Sequence, residues 1–205
     1  MGPTGKIGWK GALVGAWLLV LAAGAVAMER YARTPGAVGV AEPGAPGDRA
    51  RVTMHLHPRC PCSGASIAEF AGVIERFRAA GVRDEAPRVV ISMYRPGAEP
   101  DDWARGRLWE AATRIPGAIV VVDPDGVAAE RDGALTSGHV VVRGPDGGVV
   151  YSGGITIGRG ERGASGAADR LLAAMRTGEA EAGGPVFGCP IVTVCGPEGA
   201  AGSER

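Results

Sequence analysis

The feature of the sequence that most constrains its fold is an alternation of strand-like and helix-like segments between residues 51 and 177. In the first segment, Val52, Met54 and Leu56 occur at every second position, which is typical of a β-strand. The next segment, residues 63–80, spaces its large apolar residues three or four positions apart, as one face of a helix does. The alternation continues in the order β-α-β-α-β-α-β-β-α. It predicts one α/β domain, residues 51–178, with a mixed, mostly parallel sheet and helices on both faces.

Turn residues bound the other segments of this domain. The Asp-Pro-Asp-Gly sequence at 123–126 ends one strand, and the Gly-Pro-Asp-Gly sequence at 144–147 joins two strands into a hairpin. We predict the remaining strands at residues 88–94, 117–123, 139–143 and 148–151, and the remaining helices at residues 101–113, 127–131 and 165–177.

The N-terminal residues 1–28 are predicted to be a membrane segment that lies outside the domain. Residues 11–28 carry no charge, and a helix needs about 20 apolar residues to cross a bilayer. Ala25-Val26-Ala27 also matches the A-x-A pattern at which a secretory signal is cleaved. The leading interpretation is a transmembrane anchor with the domain on the extracytoplasmic side, periplasmic or extracellular. The alternatives are a domain secreted after signal cleavage and a buried helix of a soluble core.

Two segments that flank the domain are predicted to be loose. Residues 29–50 are rich in Pro, Gly and Ala, which is the composition of a flexible tether. Residues 179–205 form a C-terminal tail that contains Cys189 and Cys195, and it is loose apart from residues 185–195. Lys and Arg total 22 and Asp and Glu total 22, so the formal net charge is zero. A general nucleic-acid-binding protein needs a basic face, and this balance argues against one.

Cys60-Pro61-Cys62 follows the first predicted strand and precedes the first helix of the domain. At a helix N-terminus the helix dipole stabilises a thiolate, which is the reactive form of cysteine. The pair has three interpretations: a structural disulfide, a redox centre or a metal site. A bridge between residues this close, with a rigid proline between them, is expected to be strained and easily reduced. This favours the redox centre.

The histidines and the tail cysteines are the other candidates for chemistry. His57 lies three residues before Cys60, near enough to tune the pKa of the thiol or to bind a metal with it. We interpret His55 as an ordinary sheet residue, and for His139 a structural and a functional role both stay open. Cys189 has two interpretations, a structural staple of the tail and a thiol that folds back onto the Cys60 pair.

Four segments of the chain carry a family resemblance: residues 57–63 (HPRCPCS), 136–139 (TSGH), 152–156 (SGGIT) and 185–190 (PVFGCP). Together with the order of strands and helices, they resemble the thioredoxin superfamily, nearest its membrane-tethered, TlpA-like branch and the RedB-like proteins. The resemblance covers about residues 50 to 190. It implies a thioredoxin-like fold in which Cys60 is the nucleophile.

Three positions depart from the thioredoxin pattern. The family has C-x-x-C where this chain has C-x-C. If Cys60 takes the position of the nucleophile, Ser63 stands where the second cysteine is expected; if Cys62 takes the second position, Arg59 stands where the nucleophile is expected. Gly138 stands where the family carries a proline, usually cis, that lines the substrate groove. His139 follows it, at about the place where the thioredoxin-like Sco copper proteins have a histidine that binds copper with two cysteines.

The sequence therefore supports one leading function and two alternatives. The leading prediction is an exported, membrane-tethered thiol-disulfide redox protein that needs no cofactor, acts on exported protein thiols or disulfides, and uses Cys60 with Cys62 or Cys189. One alternative is a Sco-like metallochaperone that holds copper through Cys60, Cys62 and His139, since thiolates and imidazole suit copper. The other is a non-catalytic binding module with the thioredoxin fold.

Overall fold

The computed structural model describes residues 9–81 and 86–192. A long helix, α1, precedes an α/β body with five strands and four further helices. The strands are β1 (Arg51–Leu56), β2 (Arg88–Arg95), β3 (Ala118–Pro124), β4 (His139–Arg143) and β5 (Val149–Gly153). The helices are α1 (Trp9–Arg33), α2 (Ser63–Ala79), α3 (Arg107–Thr113), α4 (Val127–Arg131) and α5 (Gly166–Thr177).

The five strands form one sheet in the order β3-β2-β1-β4-β5. β1, β2 and β3 pair in parallel, whereas β4 pairs antiparallel to β1 and β5 antiparallel to β4. This confirms the predicted mixed α/β sheet, but two of the four pairings are antiparallel, so the prediction of a mostly parallel sheet is wrong. It also places β1 at the centre of the sheet, with the Cys60 segment at its carboxyl end.

The two faces of the sheet differ in chemistry. Val52, Met54 and Leu56 of β1 are fully buried and belong to the main apolar core, which also contains the buried face of α2 and residues of α5. Thr53 and His55 alternate with them and therefore point to the opposite face, where α4 packs. Helices thus cover both faces, as predicted, but one of the two covered faces is rich in buried polar residues.

One predicted helix is divided in the structure. The sequence predicts a single helix over residues 101–113, whereas the chain forms a 3-10 helix, Asp101–Ala104, and then α3. Gly106, at the junction, has an extended backbone with φ −164° and ψ −161°. Glycine has a low intrinsic helix propensity, which explains why the two pieces do not join there.

Helix α1 has the length and composition of a membrane-spanning helix. It has 25 residues, none of them buried, and its most apolar window has a mean hydropathy of 2.1. A helix of this length extends about 38 Å, more than the hydrocarbon core of a bilayer. A secretory signal shares these properties.

Residues 36–47, part of the predicted tether, lie along the body. The backbone N–H groups of Gly36, Gly39, Glu42 and Gly47 each donate a hydrogen bond of 2.8 Å to a carbonyl of the body. Composition could not reveal these bonds, because a content of Gly and Pro reports backbone freedom and not the presence of a partner strand or loop. In the structure this part of the segment is held in place.

Candidate functional site

The Cys60 sulfur lies buried at the junction between β1 and α2. β1 ends at Leu56, and the N–H of Cys60 bonds to the His57 carbonyl at 3.0 Å in the turn that follows. Cys62 is the N-cap residue of α2, and Ser63 is the first residue of that helix. Cys60 is only 1% exposed, whereas Cys62 is half-buried. The turn therefore points the first cysteine into the protein and leaves the second nearer the surface.

Hydrogen bonds surround the Cys60 sulfur. The backbone N–H of Cys189 donates to it at 3.4 Å, and the side chains of Ser63 and Cys189 and the backbone of Cys62 also hydrogen-bond to it. Burial is the largest single influence and raises the pKa of the Cys60 thiol, but the hydrogen bonds together outweigh it and leave that pKa below its ordinary value. The arrangement favours a thiolate at Cys60.

Ser137 connects the three segments that form this site. Its hydroxyl accepts a hydrogen bond from the His57 N–H at 2.8 Å and lies 2.7 Å from the Ser63 hydroxyl. Its own N–H donates to the Cys189 carbonyl at 2.8 Å. No local pattern singles out Ser137 within the segment Thr136–His139, because its contacts come from chain segments that are distant in sequence.

Gly138 has a conformation that a proline could not adopt. Its φ is +96°, and its N–H donates to the His55 carbonyl at 2.8 Å. Proline fixes φ near −65° and has no N–H. A Cβ atom at this position would also lie 2.7 Å from the Ser66 hydroxyl oxygen. These contacts explain physically why glycine stands where the resemblance predicts proline.

His57 belongs to an aromatic cluster beside the Cys60 turn. Its ring stacks on Tyr94 with a centroid distance of 5.4 Å and meets Trp103 edge-on at 5.9 Å. Its Nδ1 accepts a hydrogen bond of 3.1 Å from the N–H of Arg59. The Arg59 guanidinium lies 4.2 Å above the Trp103 ring, a cation–π contact at the protein surface. His57 thus supports the turn by packing and hydrogen bonding.

His139 lies in a buried polar network on the face of the sheet that also carries His55. It is opposite His55 in the β1–β4 pair, and its Nε2 lies 2.8 Å from the Ser152 hydroxyl. Burial above all, and then the nearby His55, lower the pKa of His139 to about 4. His55 Nε2 lies 2.9 Å from Asp132, which also accepts hydrogen bonds from Arg143. His139 is therefore neutral at ordinary pH.

Asp132 is the buried charge of this network, and the sequence analysis did not identify it. Burial alone would raise the pKa of Asp132, but the hydrogen bonds and charges of His55 and Arg143 lower it to about 2. No motif pointed to Asp132, since its partners come from β1 and β4. The interpretation of His55 as an ordinary sheet residue misses this buried contact.

The residues of the predicted copper site are not gathered into a metal-binding group. Within residues 9–81 and 86–192, no three His, Cys, Asp or Glu side chains are arranged so that they could hold a metal ion. Cys60 instead contacts Cys189, and His139 contacts Ser152.

The part of the tail that contains Cys189 is packed against the body. Val186 and Ile191 are each only 1% exposed. The N–H of Ile191 donates to the Leu135 carbonyl at 3.0 Å. In this position the Cys189 N–H lies 3.4 Å from the Cys60 sulfur. Cys195 lies outside the described residues.

Comparisons with known proteins bear on the fold alone. No family model and no curated protein matches the sequence. The structure is similar to that of an uncharacterized conserved protein from Geobacillus kaustophilus, with a TM-score of 0.55 and 17% identity over 80% of this chain and 92% of that chain. It is also similar to that of a hypothetical protein from Sinorhizobium meliloti, with a TM-score of 0.51 and 16% identity over 80% and 98% of the two chains.

Proposed function

We propose that this chain is an exported, membrane-tethered thiol-disulfide redox protein of the thioredoxin type, in which Cys60 and Cys189 form the redox pair. The observation that carries the proposal is the contact between these residues. The Cys189 N–H donates to the Cys60 sulfur at 3.4 Å, and the Cys189 side chain also forms a hydrogen bond with that sulfur. The position of Cys60 between the central strand and the helix that follows supports the thioredoxin resemblance.

The chemistry is two successive thiol-disulfide exchanges. The Cys60 thiolate attacks a partner disulfide, forms a mixed disulfide and releases the second partner sulfur as a thiolate, which takes up a proton. Cys189 then attacks the Cys60 sulfur, forms the Cys60–Cys189 bond and releases the remaining partner sulfur. The partner is reduced by two electrons, and the two cysteines of this chain are oxidised.

The proposed location follows from helix α1 and from the chemistry. Residues 36–47, which follow α1, are hydrogen-bonded to the body. If α1 crosses the membrane, the body therefore lies close to the bilayer. Extracytoplasmic compartments permit disulfides, whereas thiols in the cytosol are kept reduced. We therefore place the body on the extracytoplasmic side, with exported protein disulfides as partners.

The proposal is tested by trapping the mixed disulfide with oxidised glutathione. Wild-type protein should form an intramolecular bond between Cys60 and Cys189, mapped by mass spectrometry of peptides under non-reducing conditions. Cys189→Ser should accumulate glutathione on Cys60, because the variant lacks the thiol proposed to displace it. Cys62→Ser is the matched control and should behave as the wild type.

Two results would change the proposal. If Cys62→Ser accumulates the glutathione adduct while Cys189→Ser resolves it, the redox pair is Cys60 with Cys62. If Cys60→Ser reacts with oxidised glutathione at the wild-type rate and at the same positions, the redox function assigned to Cys60 is wrong.

A further inference from the structure

Residues 184–191, which contain Cys189, form a strap over the Cys60 turn. Its first residue is joined to the end of β5, where the Gly154 N–H donates to the Gly184 carbonyl at 2.9 Å. Val186 and Phe187 anchor it with side chains that are 1% and 6% exposed. A Cβ on Gly154 would overlap the carbonyl oxygen of Pro185. The strap is therefore seated by close backbone contact as well as by apolar packing.

Around Cys189 the strap runs as an extended chain along residues 135–137. The Ser137 N–H donates to the Cys189 carbonyl at 2.8 Å, and the Ile191 N–H donates to the Leu135 carbonyl at 3.0 Å. Between these two bonds, Thr136 and Pro190 form an antiparallel β-bridge. These are main-chain contacts, so they would suit any extended chain that presents its backbone at the same place.

The strap also closes the approach to Cys60. The sulfur is buried, and the Cys189 N–H donates directly to it. The guanidinium of Arg159 donates to the Gly188 carbonyl and so fixes the strap beside this contact. A thiolate must meet a disulfide sulfur directly to react with it. A protein disulfide therefore cannot reach Cys60 while the strap is in place.

We propose that the strap occupies the binding site of the partner protein. On this inference, which rests on the proposed redox function, the partner is an extended chain segment that contains a disulfide-bonded cysteine. It displaces residues 184–191, pairs with the backbone of Leu135 and Ser137, and places its cysteine where Cys189 lies in the closed form. The strap itself, with the sequence GPVFGCPI, is a guide to the partner's local sequence.

The strap then has two roles in one reaction. Displaced, it admits the partner, and the Cys60 thiolate forms a mixed disulfide while the partner's other sulfur leaves as a thiolate. When the strap returns, Cys189 attacks the Cys60 sulfur and forms the internal disulfide. The partner is released as a thiol. The partner disulfide is the oxidant in this sequence, and no other reactant is consumed.

Gly188→Ala tests whether the strap covers Cys60. A Cβ at this position would overlap the carbonyl oxygen of Ser137, which is backbone and cannot rotate away. In the full chain in a nonionic detergent, alkylation of Cys60 by iodoacetamide should become about tenfold faster, because the covered form opens more readily. Tandem mass spectrometry assigns the modified cysteine. Gly72→Ala is the control: its Cβ meets nothing within 4 Å, and its rate should equal that of the wild type.

A folded Gly188→Ala protein that alkylates at the wild-type rate would overturn the covering role. Should this variant fail to fold by circular dichroism, Ile191→Ala replaces it, since it removes a buried anchor of the strap without adding an atom. The same acceleration is then expected, and an unchanged rate has the same meaning.

The partner class is tested with a synthetic peptide of sequence GPVFGCPI whose cysteine is bound to 2-thiopyridine through a disulfide. Release of 2-thiopyridine by Cys60 should be faster with this peptide than with the reversed sequence, and faster in Gly188→Ala than in the wild type. Equal rates for the two peptides would overturn the assigned partner. If Gly188→Ala speeds alkylation but Cys60 releases no 2-thiopyridine from the peptide, the strap covers Cys60 but the proposed redox function is wrong.

Discussion

The Cys60 sulfur accepts a hydrogen bond of 3.4 Å from the backbone N–H of Cys189, although the two residues are 129 positions apart in the chain. Cys62, two positions from Cys60, occupies the N-cap position of helix α2. The distant Cys189 has its backbone and its thiol directed at the candidate nucleophile.

The hydroxyl of Ser63 should influence the reactivity of Cys60. It hydrogen-bonds to the sulfur and is one of the groups that lower the pKa of the thiol, so Ser63→Ala should raise that pKa. The pH midpoint of Cys60 alkylation, followed by mass spectrometry, should move to higher pH. Ser66→Ala, one turn further along α2, should leave the midpoint unchanged. An unshifted midpoint in Ser63→Ala would show that the hydroxyl does not stabilise the thiolate.

Asp132 should make the protein sensitive to acid below pH 4. Its pKa is about 2 in the folded protein and near 3.9 in an unfolded chain. Between these values the unfolded chain binds more protons, so stability is complete above about pH 4 and falls as the pH drops to 2. The loss should be about 2 kcal/mol in the free energy of unfolding, measured by urea denaturation.

Asp132→Asn should remove this acid-dependent loss and lower stability at neutral pH. It leaves the Arg143 guanidinium buried without its carboxylate, which should cost about 3 kcal/mol at pH 7. Asp169→Asn is the control, because Asp169 pairs with Arg76 at the exposed surface and such pairs contribute little. A neutral-pH stability of Asp132→Asn equal to that of Asp169→Asn would contradict the role given to the buried pair.

His139 should account for a separate loss of stability between pH 6.5 and pH 4. Its pKa is about 4 in the folded protein and near 6.5 in an unfolded chain. In this interval only the unfolded chain gains the proton, so stability falls by up to about 3 kcal/mol as the pH is lowered. His139→Gln keeps a group that can bond to Ser152 and cannot take up the proton. Its unfolding free energy should lack the part of the slope that His139 contributes; a wild-type slope would refute the assignment.

Residues 1–28 should be dispensable for the fold of the body. α1 has no buried residue. Its hydrogen bond to the body lies beyond this cut, at Ala32, whose carbonyl accepts from the Arg159 N–H at 2.9 Å, and the Arg159 guanidinium also lies over the Tyr31 ring. A protein that begins at Glu29 should stay in solution without detergent and unfold cooperatively by circular dichroism. The full chain should require detergent or lipid vesicles. Aggregation of the shortened protein would instead indicate that the helix packs in the core.

The order of strands and helices was predictable because each element carries its own periodic signal. Val52, Met54 and Leu56 alternate whether or not their neighbours are known, and all three lie in the main core. Cys60 was identified for the same reason, since a strand before it and a helix after it define its place. The split near Gly106 was missed because the apolar pattern continues across a residue whose backbone is extended.

The sequence by itself determined the α/β order, the apolar N-terminal helix and the position of Cys60, because all of these depend on residues close together in the chain. Only the tertiary structure decided that Cys189 meets Cys60 and that Ser137 bonds to Cys189. It likewise decided that Asp132 pairs with His55 and with an arginine of β4. Those contacts join segments that are close only after the sheet has formed. The physical reason is that hydrogen bonds across a fold are set by strand order and loop closure, for which no local pattern exists.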